Sequence, residues 1–225
     1  MTVSFQLSPE QEELKVGARQ FAEEYLRPLA AEVRKEPDPL RRALLARPTF
    51  EKAVAAGFLK GLIPVPFGGA AAGGASIGIF AVAAMRQAFE VAYHYALSQK
   101  RGGAVPIIDH QSVADVLADA KSRIEAVRLL AWRALDAVVA QDPAGPELAL
   151  HAKIFGSEMG VEVITRLMHV IGVQAYDNSF PLTVYLAEAL AYPVIEGSNT
   201  GIRRRQLQDL FRTPGYNPLS ASGMA

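Results

Sequence analysis

Apolar side chains recur every three to four residues along most of the chain, which is the period of a helix buried on one face. Three long helices are predicted from this pattern, at residues 77–100, 109–141 and 147–171. Short loops join them, so we expect antiparallel packing in a bundle. The alternating pattern of strands is absent from the sequence, and the predicted fold class is therefore all-α.

Each long helix has an apolar stripe that should face the core. The predicted stripe positions are, in chain order, Phe80, Ala84, Ala88, Val91, Tyr95, then Val113, Val116, Leu117, Ala120, Ile124, Val127, Leu130, then Ile154, Val161, Ile164, Met168 and Ile171. The sequence thus predicts the face that each helix buries.

Shorter helices flank this region. Ser8 is a predicted N-cap, with Pro9 at the first helical position and Gln11 closing a capping box. A second amphipathic helix is predicted at about 49–56, after a proline-bounded segment. Because both helices have an apolar face, each needs a partner surface.

The C-terminal part contains two more helix signals. Residues 179–181 should start a short helix that stops before Pro193, and Ser198 or Asn199 should cap a final helix that reaches Phe211. The polar tail at 214–225 is expected to fray.

Composition removes several classes of function. Lys plus Arg and Asp plus Glu both number 23, so no electrostatic footprint for nucleic acid or an anionic membrane is present. The absence of cysteine excludes disulfides and thiolate chemistry, and no spacing typical of a metal site occurs. The most apolar stretch, 77–92, contains Arg86 and Glu90, and the N-terminus lacks the pattern of a secretory signal. We expect a cytoplasmic protein whose partner is a small molecule or another protein.

The segment 195–204, Ile-Glu-Gly-Ser-Asn-Thr-Gly-Ile-Arg-Arg, resembles the Glu-Gly-Thr segment of many flavin-dependent acyl-CoA dehydrogenases. Residues 169–176 resemble the Gln-Ile-Gly-Gly-x-Gly-Tyr turn of that family, and 180–182 its Tyr-Pro-Val. Residues 95–111 are similar to its Tyr-Ala, Pro-Ile and Asp-Phe-Gln series, and 64–69 to the Pro-Glu-Glu-Tyr-Gly-Gly of its first domain. The ordered series is more specific than any single motif.

This resemblance implies a domain organisation. Residues 1–69 would be part of the N-terminal helical domain and 77–213 the C-terminal four-helix-type domain. The all-β middle domain of the family has no counterpart here, so the Gly/Ala-rich junction at 70–76 is predicted to mark an omitted segment.

The resemblance also implies a chemistry. Glu196 falls on the catalytic glutamate, the base that removes the α-proton of an acyl thioester carried by coenzyme A or an acyl carrier protein, while FAD accepts the hydride. The residues implied in FAD binding are Arg101, His169, Gly172, Ser198 and Thr200. A homodimer or homotetramer is implied as well, and the electron acceptor is left open.

The same residues also have simpler, non-catalytic interpretations. A single glutamate at a helix start is usually placed there by the helix dipole, and His169 on an apolar face is more often a core or interface residue. Residues 203–205, three arginines, favour a solvated face or a subunit contact. The alternatives to the dehydrogenase are a related oxidase and a non-catalytic oligomerisation module of the same family that has lost its flavin.

Overall fold

The computed structural model describes residues 7–56, 70–177 and 179–222, and within these ranges it contains helices and turns but no strand. The predicted all-α class is therefore confirmed. The α-helices, in chain order, are α1 Pro9–Phe21, α2 Arg27–Val33, α3 Pro39–Ala55, α4 Ala70–Ser98, α5 Gln111–Val139, α6 Gly145–Ile171, α7 Leu182–Ala191 and α8 Arg204–Phe211. Contacts divide the chain into two units, Met1–Pro66 and Phe67–Ala225.

In the first unit, helices α1 to α3 have no buried residue among positions 7–9, 11–38 and 40–56, where burial is described. Ser8 accepts a hydrogen bond from the Gln11 amide and completes the predicted capping box. Helix α3 begins ten residues before the predicted start, because Asp38 caps it and Pro39 occupies its first turn. Its large apolar side chains, such as Leu40, Leu44 and Phe50, are exposed, which agrees with the predicted need for a partner surface.

In the second unit, α4 to α7 form an up-down-up-down bundle. Paired positions show the directions: Gly78 of α4 lies against Gly156 of α6, and further along both helices Ala81 lies against Gly160. Helices α4 and α6 are therefore parallel to each other. Helix α5 runs antiparallel to both, since its later residue Ala137 contacts Gly145 at the start of α6. The bundle contains the main core of the chain.

The core contains most of the predicted stripe, with two adjustments. On α4, Ala84, Ala88 and Tyr95 are buried as predicted, whereas Phe80 is 46% exposed, so its prediction was wrong. On α6, Ile164, Met168 and Ile171 are buried as predicted, whereas Ile154 and Val161 are only partly buried. The buried residues of α6 also include Lys153, Ser157, Gly160 and Leu167.

Residues 70–76 are the first two turns of α4, although their glycines predicted a break. Tertiary packing outweighs the cost of glycine in a helix here, because Gly74 and Gly78 let the backbones of α4 and α6 approach closely. The prolines at 64 and 66 lie outside the described residues. The predicted omitted segment and the domain boundaries stay predictions.

The tail was expected to fray, but through residue 222 this was wrong. The Tyr216 hydroxyl donates a 2.8 Å hydrogen bond to the buried carboxylate of Glu147. Arg133 of α5 donates to the Ala221 carbonyl at 2.9 Å, and Ala221 itself packs against the core. These contacts hold the polar C-terminal segment against the bundle. The composition of the segment gives no indication of them.

The α4–α6 crossing generates a prediction for Gly156→Ala. An added Cβ at Gly156 would lie 3.0 Å from the Gly78 backbone and 3.1 Å from Val127, so the helices must separate. We expect a loss of about 1–3 kcal/mol in the free energy of unfolding, measured by urea titration. Gly160→Ala, on the same helix, is the control, since its Cβ would have 3.4 Å of space to Ala81. Equal stability of the two variants would contradict the close crossing.

Candidate active site

Glu196 lies in a turn between α7 and α8. Pro193 follows the end of α7, and the amides of Val194 and Ile195 both donate back to the Ala191 carbonyl at 3.0 Å. The turn closes where the Asn199 amide donates to the Pro193 carbonyl at 2.9 Å. A π-helical turn, Asn199–Arg203, follows and leads into α8.

The backbone of Glu196 is in the left-handed region, with φ of 52°, and Gly197 follows with φ of 84°. This conformation costs a non-glycine residue about 1–2 kcal/mol. Glu196 also precedes the Ser198 N-cap by two residues, so it does not lie in the first turn of the helix. The helix dipole alone therefore does not explain a glutamate at this position.

The Glu196 carboxylate is exposed and lies beside the start of α4. A Cβ built on Gly73 would approach its Oε2 to 3.0 Å. The absence of a side chain at Gly73 therefore leaves room for the carboxylate next to the helix backbone.

A buried polar network lies beneath the turn. Lys153 of α6 is 0% exposed and donates from Nζ to the Tyr192 carbonyl at 2.6 Å and to Asn199 Oδ1 at 2.9 Å. Asn199 in turn donates from Nδ2 to Ser157 Oγ at 2.9 Å and to Glu158 Oε1 at 3.1 Å. Thus α6 holds both ends of the turn that carries Glu196.

Arg203 contributes a second tie to the same turn. Its guanidinium donates to the Glu196 carbonyl and, at 3.0 Å, to Gln206 Oε1, and the residue is only 8% exposed. Its Nε is buried without a partner among the described atoms and faces Gly197. Residues 203–205 were expected to form a solvated face or a subunit contact, and Arg203 is not part of a solvated face, because it is buried within the chain. Arg204 is exposed and pairs with Glu158 at 2.8 Å.

Burial, the larger cause, and the nearby charge of Arg203 together lower the pKa of Lys153 from 10.5 to about 8. The carboxylates of Glu158 and Glu196 act in the opposite sense and raise this pKa. The Lys153 ammonium is therefore electrostatically coupled to the carboxylate of the turn. A buried ammonium of this kind is costly unless it is paired and hydrogen-bonded.

The six predicted site residues fall into two groups. Glu196, Ser198 and Thr200 lie together on the turn, where Thr200 is exposed and Ser198 Oγ accepts from the Gly201 amide at 3.1 Å. The second group, Arg101, His169 and Gly172, lies at the end of α6.

Arg101 caps that helix by donating to the Val170 carbonyl at 2.7 Å and to the Ile171 carbonyl. His169 was interpreted as a core or interface residue; it is exposed within the chain, so the core interpretation was wrong, and the interface interpretation stays a prediction. Lys153 and His169 are 169 − 153 = 16 residues apart on one helix, or about 24 Å along its axis. Within one chain, the two groups do not form a single site.

The sequence analysis missed three residues that shape the turn, namely Gly73, Lys153 and Asn199 as a buried amide. A signal for Lys153 was present: it lies four residues before Ser157 and seven before Gly160, on the apolar face of α6. A lysine on such a face is rarely buried unless it is paired. For Gly73 no sequence signal exists, because its role depends on the α4–turn contact.

Comparison with protein families gives two matches. Residues 69–209 match the acyl-CoA dehydrogenase C-terminal domain, and residues 8–112 match the N-terminal domain of the same enzymes. The two matches overlap at 69–112, so they do not define a boundary between the predicted domains.

Among curated proteins, the nitroalkane oxidase of Podospora anserina is 38% identical over 161 residues, covering 70% of this chain and 37% of the relative. Its solved structure superimposes with a TM-score of 0.67 and covers 38% of that chain. Cyclohexane-1-carbonyl-CoA dehydrogenase of Geobacter metallireducens is 28% identical over 124 residues, covering 55% of this chain and 32% of the relative. The chain thus spans about a third of the length of these relatives.

Further solved structures concern the chemistry of nitroalkane oxidase. One, at 36% identity and a TM-score of 0.65, covers 68% of this chain and 36% of that chain, and is an active-site aspartate-to-asparagine mutant crystallised with 1-nitrooctane. Another, at 37% identity and the same TM-score and coverage, addresses the roles of an arginine and that aspartate, seven positions apart, in the reaction of the flavoprotein.

The strained backbone at Glu196 predicts the outcome of two substitutions. Glu196→Gly removes the carboxylate and the strain, whereas Glu196→Ala removes only the carboxylate. Allowing for the greater freedom of glycine in the unfolded chain, we expect the Gly variant to be more stable by about 0.5–1 kcal/mol. Chemical denaturation of both proteins measures the difference. A more stable Ala variant would show that the left-handed conformation is absent in solution.

Burial of Lys153 predicts a pH-dependent stability. Its pKa of about 8 lies below the ordinary 10.5, so between these values the unfolded chain binds more protons than the folded one. Stability should therefore rise from pH 8 to 10.5, by at most about 3 kcal/mol, while below pH 8 the full cost of the buried charge remains.

The measurement for Lys153 is urea unfolding of wild type and Lys153→Met across this pH range. The stability of the wild type relative to the variant should increase with pH, because tyrosine titration is common to both proteins. A difference that does not change with pH would mean that the ammonium is not desolvated.

Proposed function

Because the chain belongs to the acyl-CoA dehydrogenase family, we propose that it provides the proton-abstracting site of a flavin-dependent oxidoreductase, with Glu196 as the base and a nitroalkane as substrate. The observation that carries this proposal is the geometry of Glu196. An exposed carboxylate projects from a turn that is fixed on both sides, and Arg203, seven residues later, binds the carbonyl of the same residue. An acid and an arginine with this spacing are the pair studied in nitroalkane oxidase.

Proton abstraction from a nitroalkane requires only that the carboxylate accept a proton from an acidic C–H bond. A nitro group delocalises the charge left on the neighbouring carbon, so a carboxylate at hydrogen-bond distance is an adequate general base. The Glu196 carboxylate is accessible, and its backbone is held by Arg203 and by the hydrogen bonds of the turn. Such fixed placement is what efficient proton transfer requires.

FAD is the cofactor that this proposal requires. It would accept the electron pair that proton removal leaves on the carbon of the substrate. The donor set of the turn fits it: the Thr200 side chain is exposed, and Ser198 lies two residues from the base. His169 lies about 24 Å along α6 from Lys153, which binds the turn, and Arg101 caps the same end of that helix, so both would serve a flavin bound mainly by a second copy. The function therefore implies a homo-oligomer, and exposed Leu97, Val173 and Tyr176 provide apolar surface for it.

An acyl thioester is the second candidate substrate. It is favoured by one observation, namely that the residue here is a glutamate whereas the nitroalkane oxidase structures have an aspartate. A thioester α-proton is less acidic, and its removal needs donors that stabilise the developing oxyanion. The greater identity to nitroalkane oxidase, 38% against 28% for the CoA dehydrogenase, supports the nitroalkane as the first candidate.

The test is anaerobic bleaching of the flavin band after mixing the FAD-loaded protein with 1-nitrooctane or octanoyl-CoA. Glu196→Gln keeps the size of the side chain but removes the proton acceptor, so bleaching should slow by at least about a hundredfold. Glu90→Gln, an exposed acid on α4, is the matched control and should bleach at the wild-type rate.

Each result has a defined meaning. Bleaching by 1-nitrooctane alone supports the proposal, and bleaching by octanoyl-CoA alone supports the thioester alternative. Equal rates in wild type and Glu196→Gln would remove Glu196 from the reaction. A protein that stays colourless after reconstitution with FAD would support the non-catalytic oligomerisation module.

A further inference from the structure

We propose that Lys153 is a positioning residue for the Glu196 turn: its buried ammonium binds both ends of the turn and thereby fixes where the carboxylate projects. This inference deepens the proposed function and rests on it for the role of Glu196. The structural part, that Lys153 orders the turn, is independent of the substrate and of the flavin.

The contacts of Lys153 bracket the base. Tyr192, whose carbonyl accepts one hydrogen bond at 2.6 Å, lies four residues before Glu196. Asn199, whose Oδ1 accepts the other at 2.9 Å, lies three residues after it. A single cation on α6 therefore fixes the separation of the two ends, and the turn between them has little freedom to move.

Asn199 extends this attachment across α6. Its Nδ2 donates to Ser157 Oγ at 2.9 Å and to Glu158 Oε1 at 3.1 Å, and the residue is 2% exposed. The amide is thus oriented by donors and acceptors on both sides. Because Lys153, Ser157 and Glu158 all belong to α6, their hydrogen bonds fix the position of the turn relative to one rigid helix.

Stability alone is a poor explanation for this arrangement. An apolar side chain of similar volume at a buried position would avoid the cost of removing an ammonium from water. A buried lysine whose bonds all go to the ends of one exposed turn is better explained by the placement of that turn. The geometry points to an ordered base as the result.

Hydrogen exchange of the apoprotein, followed by mass spectrometry, tests the structural part directly. In Lys153→Met, peptides that contain the amides of Ile195 and Asn199 should exchange at least about tenfold faster, while those of α5 keep their rates. Lys121→Met, which removes an exposed lysine paired with Glu125, is the control and should leave the turn unchanged. Unchanged exchange of the turn in Lys153→Met overturns the proposal.

A second variant, Asn199→Ala, is used if Lys153→Met does not fold. It removes the hydrogen bond between Lys153 and Asn199, while the lysine keeps its bond to the Tyr192 carbonyl. The same local increase in exchange is expected there. A uniform increase over the whole bundle would indicate a general loss of stability and would count against a positioning role.

Flavin bleaching separates positioning from stability in the loaded protein. At a temperature well below unfolding, the limiting bleaching rate of Lys153→Met should fall at least about tenfold, with the half-saturating substrate concentration nearly unchanged. An unaltered limiting rate overturns the catalytic part. If the wild type itself does not bleach, the proposed function fails, and the exchange result alone decides whether Lys153 orders the turn.

Discussion

The close approach of α4 to α6 is the constraint on which the site depends. Glycines at 74, 78 and 156 allow close backbone contacts that an added Cβ would crowd. This crossing brings the first turns of α4 over the face of α6 that carries Lys153. It also places Gly73 against the Glu196 carboxylate, so the packing of two core helices determines the surroundings of a residue 123 positions later in the chain (196 − 73 = 123).

Charges of both signs lie around the turn. Lys153 interacts electrostatically with the carboxylates of Glu158 and Glu196, Arg204 pairs with Glu158, and Arg203 binds the backbone of the turn. Both buried cations, Lys153 and Arg203, donate to oxygen acceptors, although Arg203 Nε has no partner among the described atoms. Such a network contributes less to net stability than to a defined geometry, which is the property that proton transfer needs.

The sequence predicted the fold well, because helices of this length have a strong periodic signal. It predicted Ala88, Ile124 and Ile164 as core residues, and all three are fully buried. It failed at residues 70–76, where the glycines that indicate a break in isolation are required by a neighbouring helix. Local propensity carries no information on that contact.

The site was less predictable, for a related reason. Glu196 was identified through the resemblance of its segment. The burial of Lys153 was indicated only by its position on the apolar face of α6, and its contact with the turn depends on tertiary packing that the local sequence does not encode. The six implied residues were also treated as one site, and the structure separates them along α6. The proposed function assigns the second group to a ligand bound mainly by another copy of the chain.

The central claim is that a fixed Glu196 carboxylate removes a proton from carbon. The most direct test compares single-turnover flavin bleaching by 1-nitrooctane with bleaching by the same compound carrying deuterium at the carbon next to the nitro group. The account predicts distinctly slower bleaching with the deuterated compound, because transfer of the proton from that carbon to Glu196 limits the rate of flavin reduction. Equal rates for the two compounds, with the flavin still reduced, would contradict it.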